Sequence, residues 1–72
     1  MSVSKIAMVL EVLGDGKWHG IAELLMTLEL NEHKFREIAA FLNKYDFVKV
    51  DEKNRRVKIN RDFQKLLAQS VT

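Results

Sequence analysis

The spacing of the apolar residues changes from helical to alternating at Asp46, and that change restricts the folds open to this chain. Before Asp46 the apolar residues recur every three or four positions, which is the spacing of one face of an α-helix. After it, residues 47–51 and 56–59 alternate apolar with polar, as half-buried strands do. Helical segments followed by a hairpin place the chain in the α+β class, and 72 residues suffice for one domain only.

Glycine and capping residues set the predicted element boundaries, because the chain contains no proline. Ser2, Asn31 and Asn60 are suited to cap helices, and the glycines after Leu13 are suited to end the first one. In the charged loop between the last two strands, Asn54 is the residue expected to adopt a left-handed conformation. The predicted elements are helices at 3–13, 21–29, 32–45 and 61–70, a short strand at 17–19, and strands at 47–51 and 56–59.

Each predicted helix carries a stripe of apolar residues that should face the core. The stripes are Val3, Ile6, Leu10 and Leu13; then Ile21, Leu24, Leu25 and Leu28; then Phe35, Ile38, Ala39, Leu42 and Tyr45; and finally Phe63, Leu66 and Leu67. Phe41 lies off the stripe of the third helix, and we expect it to pack under the hairpin, with a contact to a partner as the alternative. We expect Trp18 to close a small core beside the first strand, with His19 at the surface.

Met8 and Val12 fall nearly opposite the stripe of the first helix, so a second apolar surface needs cover. Two arrangements satisfy this requirement. The last helix can cover both residues within one chain, or the first and last helices can form a two-fold dimer interface. The candidate dimer surface consists of Met8, Val12, Phe63, Leu66 and Leu67.

The positive charge is concentrated in the second half of the chain. The whole sequence has a net charge of +2, but residues 31–61 contain nine Lys or Arg against five acidic residues. Residues 1–30 contain two Lys against four acidic residues. An asymmetry of this kind favours a polyanionic partner.

Several classes of function lack the residues that they need. The chain has no cysteine, which excludes disulfide scaffolds, zinc ribbons and thiol catalysis. It has no phosphate-binding glycine loop and no recognised serine–histidine signature. His33 with Glu29 and Glu37 four residues to either side is not a specific ligand set. We therefore expect no enzyme activity, metal, cofactor or small-molecule ligand. With no membrane-spanning run and no signal peptide, a cytoplasmic location is expected.

Three segments resemble a winged helix-turn-helix domain, and the resemblance spans about residues 4–59. Residues 15–24, DGKWHGIAEL, are similar to the loop and second-helix start of biotin-repressor-like and archaeal winged-helix regulators. Residues 30–35, LNEHKF, resemble the turn and the start of a recognition helix. Residues 41–48, FLNKYDFV, resemble the end of that helix and the connection to the following β-hairpin, which is the wing. The family usually has glycine where this chain has Asp46. The fold implied is a three-helix core with a short three-stranded antiparallel sheet, followed here by a C-terminal helix.

The resemblance implies that the third helix enters the major groove of DNA. At about 100° per residue, the outward side of that helix is predicted to present His33, Lys34, Arg36, Glu37, Ala40, Asn43 and Lys44. Arg36 is suited to a guanine edge and Asn43 to adenine, whereas lysines at either end would contact phosphates. Ala40 would permit close approach. The alternative is an ordinary solvated or protein-binding face, to which Glu32 and Glu37 are better suited.

The resemblance also implies that the hairpin touches phosphates or the adjacent minor groove. Its candidate contacts are Lys49, Lys53, Asn54, Arg55, Arg56 and Lys58. Three to five phosphate contacts would make the logarithm of affinity fall with the logarithm of salt with a slope of about −3 to −5. Alternatively, these charges only protect an exposed strand edge from aggregation.

The leading hypothesis is a small transcriptional regulator that binds specific sequences of double-stranded DNA, with a homodimer as a candidate state. The alternative is a winged helix used for protein contacts within a transcription or other nucleic-acid-processing assembly. RNA binding through the same basic residues is a third hypothesis.

Overall fold

A computed structural model describes residues 4–69 of the chain, which form an α+β fold. In that part of the chain, four helices accompany an antiparallel sheet of three strands. The elements are α1 Lys5–Leu13, β1 His19–Gly20, α2 Ile21–Thr27, α3 Glu32–Lys44, β2 Val48–Asp51, β3 Arg56–Ile59 and α4 Arg61–Gln69. The predicted α+β class is therefore confirmed. Among these helices, none is long and apolar enough to cross a lipid bilayer.

The sheet has the order β1-β3-β2, with β3 paired to both neighbours. In the β2–β3 register Val50 lies opposite Val57, and Lys49 lies opposite Lys58. Because side chains alternate along a strand, the valines occupy the inner face of the sheet and the lysines its outer face. The short β1 occupies His19–Gly20 rather than the predicted 17–19.

Helix α1 begins at Lys5, where the hydroxyl of Ser4 accepts a hydrogen bond from the Ile6 N–H at 3.2 Å. The predicted helix start at Val3 and its cap at Ser2 lie outside the described residues. Val9 and Leu13 are the buried residues of α1, whereas Ile6 and Leu10 are only partly buried. The predicted stripe omitted Val9, because apolar residues surround this helix and periodicity does not select one face.

Helix α2 ends at Thr27, two residues before the predicted end. Glu29 adopts a left-handed conformation with φ 53°, and the Leu30 N–H turns back to the Leu25 carbonyl at 2.9 Å. This Schellman-type ending satisfies carbonyls that the helix leaves unpaired. It also directs Leu30 into the core, where only 8% of the residue is exposed.

Helix α3 ends in the same way at Asp46, which has φ 59°. The Phe47 N–H donates to the Leu42 carbonyl at 2.9 Å, and strand β2 begins at the next residue. Tyr45, which the sequence placed on the inward stripe of α3, is 53% exposed. The turn begins at Tyr45, so the stripe has already rotated away from the core at that position.

Within the described residues, twelve buried apolar side chains form the core, between the inner face of the sheet and helices α1 to α3. They are Val9, Leu13, Ile21, Leu24, Leu28, Leu30, Phe35, Ile38, Leu42, Val48, Val57 and Ile59. Ala39 packs against this cluster but is itself only partly buried. The core thus anchors α3 by one face and leaves its other face to solvent.

The β2–β3 loop differs from the prediction at the left-handed position. Arg55 adopts φ 51°, whereas Asn54 uses its side chain to donate to the Asp51 carboxylate at 2.9 Å. The Asn54 N–H donates to the same carboxylate at 3.2 Å. Asp51 therefore holds the first part of the turn, and the reversal of the chain is completed at Arg55.

Helix α4 follows Asn60, whose side chain accepts from the Asp62 N–H at 2.8 Å. The N-terminal half of α4 packs against the rest of the domain, where Phe63 stacks on Phe47 with ring centroids 4.1 Å apart. Gln64 Nε2 also donates to the Gly14 carbonyl at 2.8 Å. No described residue of α4 is buried, and the predicted end at Ser70 lies outside the described residues.

Candidate functional site

The outward face of α3 is open to solvent over the described part of the chain. All of its seven candidate residues are exposed: His33, Lys34, Arg36, Glu37, Ala40, Asn43 and Lys44. Asn31 fixes the start of the helix, since its side-chain oxygen accepts from the Lys34 N–H at 2.7 Å. Helix α4 docks at Phe47 and Gly14 and does not occupy this face.

A cleft of about 400 Å³ separates α3 from the β2–β3 hairpin. Its lining residues include Arg36, Ala40 and Asn43 from α3, and Val50, Glu52 and Arg55 from the hairpin. We call this cleft the α3–hairpin groove. The fold thus brings Arg36, Ala40 and Asn43 of α3 next to two residues of the hairpin loop, the candidate cation Arg55 and the acidic Glu52.

Glu32 and Arg55, which both line the α3–hairpin groove, form an ion pair. The hydrogen bond from the Arg55 guanidinium holds the pKa of Glu32 below its usual value. Arg36 lies 4.0 Å from the other oxygen of the same carboxylate. Sequence reasoning did not assign Glu32 to the site, and because 23 residues separate it from Arg55, no local pattern identifies this pair.

The six candidate residues of the hairpin divide into two groups. Lys53, Asn54 and Arg55 lie in the loop, whereas Lys49, Arg56 and Lys58 belong to the strands. The Arg56 guanidinium is held by Asp51 at 2.9 Å. Hydrogen bonds from Asn54 and Arg56 lower the pKa of Asp51. The structure therefore does not gather the hairpin cations at a single tip.

Trp18 lies against the strand cations, not in the core where it was expected. Its ring centroid is 4.5 Å from Arg56 Cζ and 4.9 Å from Lys58 Nζ, and the residue is 37% exposed. His19, expected at the surface, has only 14% of its side chain exposed. The burial of these two side chains is the reverse of the prediction, because the strand begins at His19 and its side chain points to the inner face of the sheet.

Four aromatic rings follow one another from the end of α3 to α4. Phe41 meets Tyr45 edge-on at 5.3 Å, Tyr45 stacks on Phe47 at 5.8 Å, and Phe47 stacks on Phe63. Phe41 is 46% exposed, so it does not pack under the hairpin as predicted. We call these rings the aromatic ladder, and its Phe41 end is open to solvent.

The candidate dimer surface is only partly exposed. Met8, Val12 and Phe63 pack against the core, whereas Leu66 is 59% and Leu67 39% exposed. Leu66 therefore does not provide the intramolecular cover for α1 that the sequence left open as one alternative. The exposed part of this surface lies on α4, near the aromatic ladder.

The histidines have carboxylate neighbours but form no larger cluster. His33 Nε2 lies 3.4 Å from Glu37, and His19 Nε2 lies 2.9 Å from Asp15. Hydrogen bonds from His19 and then from the Lys17 N–H lower the pKa of Asp15. Within residues 4–69, no group of three or more His, Cys, Asp or Glu residues is arranged to hold a metal ion.

Comparison of the chain with protein-family models, with curated proteins and with solved structures gives no match.

Proposed function

We propose that this chain is a winged-helix domain that binds specific sequences of double-stranded DNA, as a small transcriptional regulator. The observation that supports this proposal most directly is the open outward face of α3 beside the hairpin loop, with Arg36, Asn43 and Arg55 along one groove. The order of elements and the three-stranded antiparallel sheet are also those expected from the winged-helix resemblance.

The dimensions of α3 suit the major groove. A helix with side chains is about 10–12 Å across, and the major groove is about 12 Å wide. Arg36 is suited to donate two hydrogen bonds to guanine, and Asn43 to pair with adenine. Ala40 lies between them on the same helical face and allows the backbone to approach the bases.

The phosphate contacts are proposed for Lys34 and Lys44 on α3, and for Lys53 in the hairpin loop. All three side chains are exposed. Arg55 and Arg56 are excluded from this set because Glu32 and Asp51 already hold them. Three phosphate contacts correspond to a slope of about −3 for the logarithm of affinity against the logarithm of salt concentration.

The experiment is a salt titration of duplex binding by fluorescence anisotropy, after selection of a preferred site from random duplexes. Lys53→Ala should weaken binding to all sequences equally and reduce the slope by about 1. Arg36→Ala should instead reduce the preference for the selected site, by about 5- to 150-fold if a bidentate guanine contact is lost. Lys65→Ala on α4 is the matched control and should change neither quantity. If neither Lys53→Ala nor Arg36→Ala differs from the parent protein, the proposal is wrong.

A protein-contact function is a second candidate, and the exposed end of the aromatic ladder favours it. Phe41 and Tyr45 are about half exposed, and their ring centroids are 5.3 Å apart. Neighbouring exposed apolar side chains mark protein contacts, and a homodimer is the simplest such contact. Leu66 on α4, which is 59% exposed, is a second candidate contact. Light scattering between about 1 and 100 μM tests it. A mass of one chain throughout, in the parent protein and in Leu66→Lys, would exclude the homodimer.

A further inference from the structure

The outer face of the sheet carries a pair of like charges that the fold leaves uncompensated. Lys49 on β2 lies directly opposite Lys58 on β3. Like charges at directly opposed positions of an antiparallel pair are destabilising. A surface that keeps such a pair is suited to an anionic partner, which removes the repulsion when it binds.

Arg61, the first residue of α4, adds a third cation to this pair. Lys49, Lys58 and Arg61 line a shallow pocket of about 430 Å³ on the surface of the protein. Within residues 4–69, these three side chains have no carboxylate partner. The acidic residue of the pocket, Asp15, already accepts hydrogen bonds from the Lys17 N–H and from His19. The pocket is therefore positively charged.

Two of the cations on this face are held in place by Trp18. Lys58 Nζ lies 4.9 Å from the centroid of the ring, and Arg56 Cζ lies 4.5 Å from it. Arg56 and Lys58 are two residues apart on one strand, which spaces their Cα atoms by about 7 Å. Lys49 on the neighbouring strand and Arg61 beyond the end of β3 line one pocket with Lys58. We call Lys49, Lys58 and Arg61 the cation row, which spans two strands and the start of α4 and matches an extended polyanion better than a single small anion.

This row lies on the opposite face of the sheet from the α3–hairpin groove. Val50 lines the groove, and Lys49, the preceding residue on the same strand, lines the pocket. Because successive side chains of a strand point to opposite faces, one ligand in the groove does not cover the row. The two surfaces can therefore be occupied at the same time.

We propose that Lys49, Lys58 and Arg61 form a second binding site, which takes the phosphate backbone of a second DNA duplex. Occupation of both faces would let one protein molecule bridge two duplex segments. The second site goes beyond the proposed regulator function, which uses only the groove, and it does not require the groove to bind DNA.

Trp18 provides a reporter for this site, since it is the single tryptophan of the chain. The experiment follows tryptophan fluorescence during titration with a 20-bp duplex, while anisotropy of a label on the duplex follows total binding. We expect a change in Trp18 fluorescence on binding. The Lys49→Ala/Arg61→Ala variant should lower the affinity measured by Trp18 fluorescence about tenfold or more. It should also reduce the salt slope of that affinity by about 2. Both substitutions leave the two cations beside Trp18 in place.

Controls separate lost binding from lost folding. Thermal unfolding of Lys49→Ala/Arg61→Ala should occur at a temperature no lower than that of the parent protein, because the variant relieves the repulsion on the sheet. Lys65→Ala, also on α4 but outside the pocket, should leave the affinity measured by Trp18 fluorescence unchanged. If Lys49→Ala/Arg61→Ala folds normally and that affinity is also unchanged, the second site is excluded. An equal response to tripolyphosphate at the same phosphate concentration would indicate a small-anion site and would overturn the duplex assignment.

The same titration distinguishes the second site from the proposed function. Binding that is sensitive to Arg36→Ala but gives no Trp18 signal supports the groove and overturns the second site. A Trp18 signal that Lys49→Ala/Arg61→Ala removes, with binding insensitive to Arg36→Ala, supports the second site and overturns the groove. Absence of any duplex binding at low salt overturns both.

Discussion

At the scale of single residues, the ion pair between Glu32 and Arg55 controls how much positive charge the hairpin presents. Arg55 is one of the two cations in the hairpin loop, and its guanidinium is bound to a carboxylate of α3. A DNA phosphate must compete with that carboxylate for the same donors. The net charge of the hairpin therefore overstates the charge available to a ligand.

Glu32→Gln should release Arg55 and strengthen duplex binding. One additional phosphate contact would steepen the salt dependence by about 1. Glu37→Gln is the matched control, because it removes the same charge from the same helix and leaves the pair with Arg55 intact. Anisotropy titrations at several salt concentrations measure both slopes. Equal slopes for the two variants would show that the ion pair does not limit binding.

The lowered carboxylate pKa values predict loss of stability in acid. Hydrogen bonds from His19, Arg55 and Asn54, respectively, lower the pKa of Asp15, Glu32 and Asp51. A carboxylate whose pKa is lower in the folded state stabilises the fold fully above its unfolded value, near 4. That stabilisation is lost as the pH falls through the lower folded value.

The free energy of unfolding, measured with denaturant between pH 7 and pH 2, should therefore decline below about pH 4. The free energy of unfolding of Asp51→Asn should decline less steeply than that of the parent protein over that range, because one of the three carboxylates with a lowered pKa is gone. An identical pH profile for the variant would mean that Asp51 does not link protonation to folding.

At the scale of the elements, three non-glycine residues of the part 4–69 adopt the left-handed conformation where a helix ends or the chain turns. They are Glu29 after α2, Asp46 after α3 and Arg55 before β3, with φ values between 51° and 59°. The left-handed conformation costs a residue with a Cβ about 1–2 kcal/mol, less for Asp, whose side chain can hydrogen-bond locally. The tertiary packing of Leu30 and Phe47, which directly follow two of these residues, offsets that cost.

Glu29→Gly should stabilise the protein by about 1 kcal/mol, because glycine adopts the left-handed conformation without strain. Glu23→Gly is the control, since it makes the same substitution in the first turn of α2. It should instead destabilise the protein by up to about 1 kcal/mol, through the low helix propensity of glycine. Chemical unfolding measures both. Destabilisation by Glu29→Gly would contradict the left-handed ending of α2.

At the scale of the whole molecule, stability depends on the small core between the sheet and helices α1 to α3. Leu13, at the C-terminal end of α1, is 0% exposed, whereas Leu66 on α4 is 59% exposed. The same substitution at these two positions should therefore have very different effects. A small domain has about 5–15 kcal/mol of stability in total, so a single cavity in this core is serious.

Leu13→Ala should destabilise the protein by about 2–5 kcal/mol, the usual cost of a leucine-to-alanine cavity. Leu66→Ala should change the free energy of unfolding by less than about 0.5 kcal/mol. Denaturant unfolding at low protein concentration gives both values. A large loss for Leu66→Ala would show that Leu66 is covered in solution, as in a homodimer.

Local signals in the sequence were enough to predict the class of the fold and most of its elements. The change of apolar period at Asp46 predicted helices before it and strands after it. Asn31 and Asn60 cap α3 and α4 through their own side chains, within three residues. Predictions of this kind succeed because a cap or a turn of helix depends on residues that are neighbours in the chain.

What the sequence by itself determined is the set of elements and the open, polar face of α3, because both follow from periodicity. Only the tertiary structure decided which cations are available: Arg55 is bound by Glu32, and Arg56 by Asp51 and Trp18. It also decided that Tyr45 and Phe41 are exposed and that Val9 is buried. The physical reason is that burial and charge pairing depend on residues far apart in the chain, such as Glu32 and Arg55, and periodicity carries no information about them.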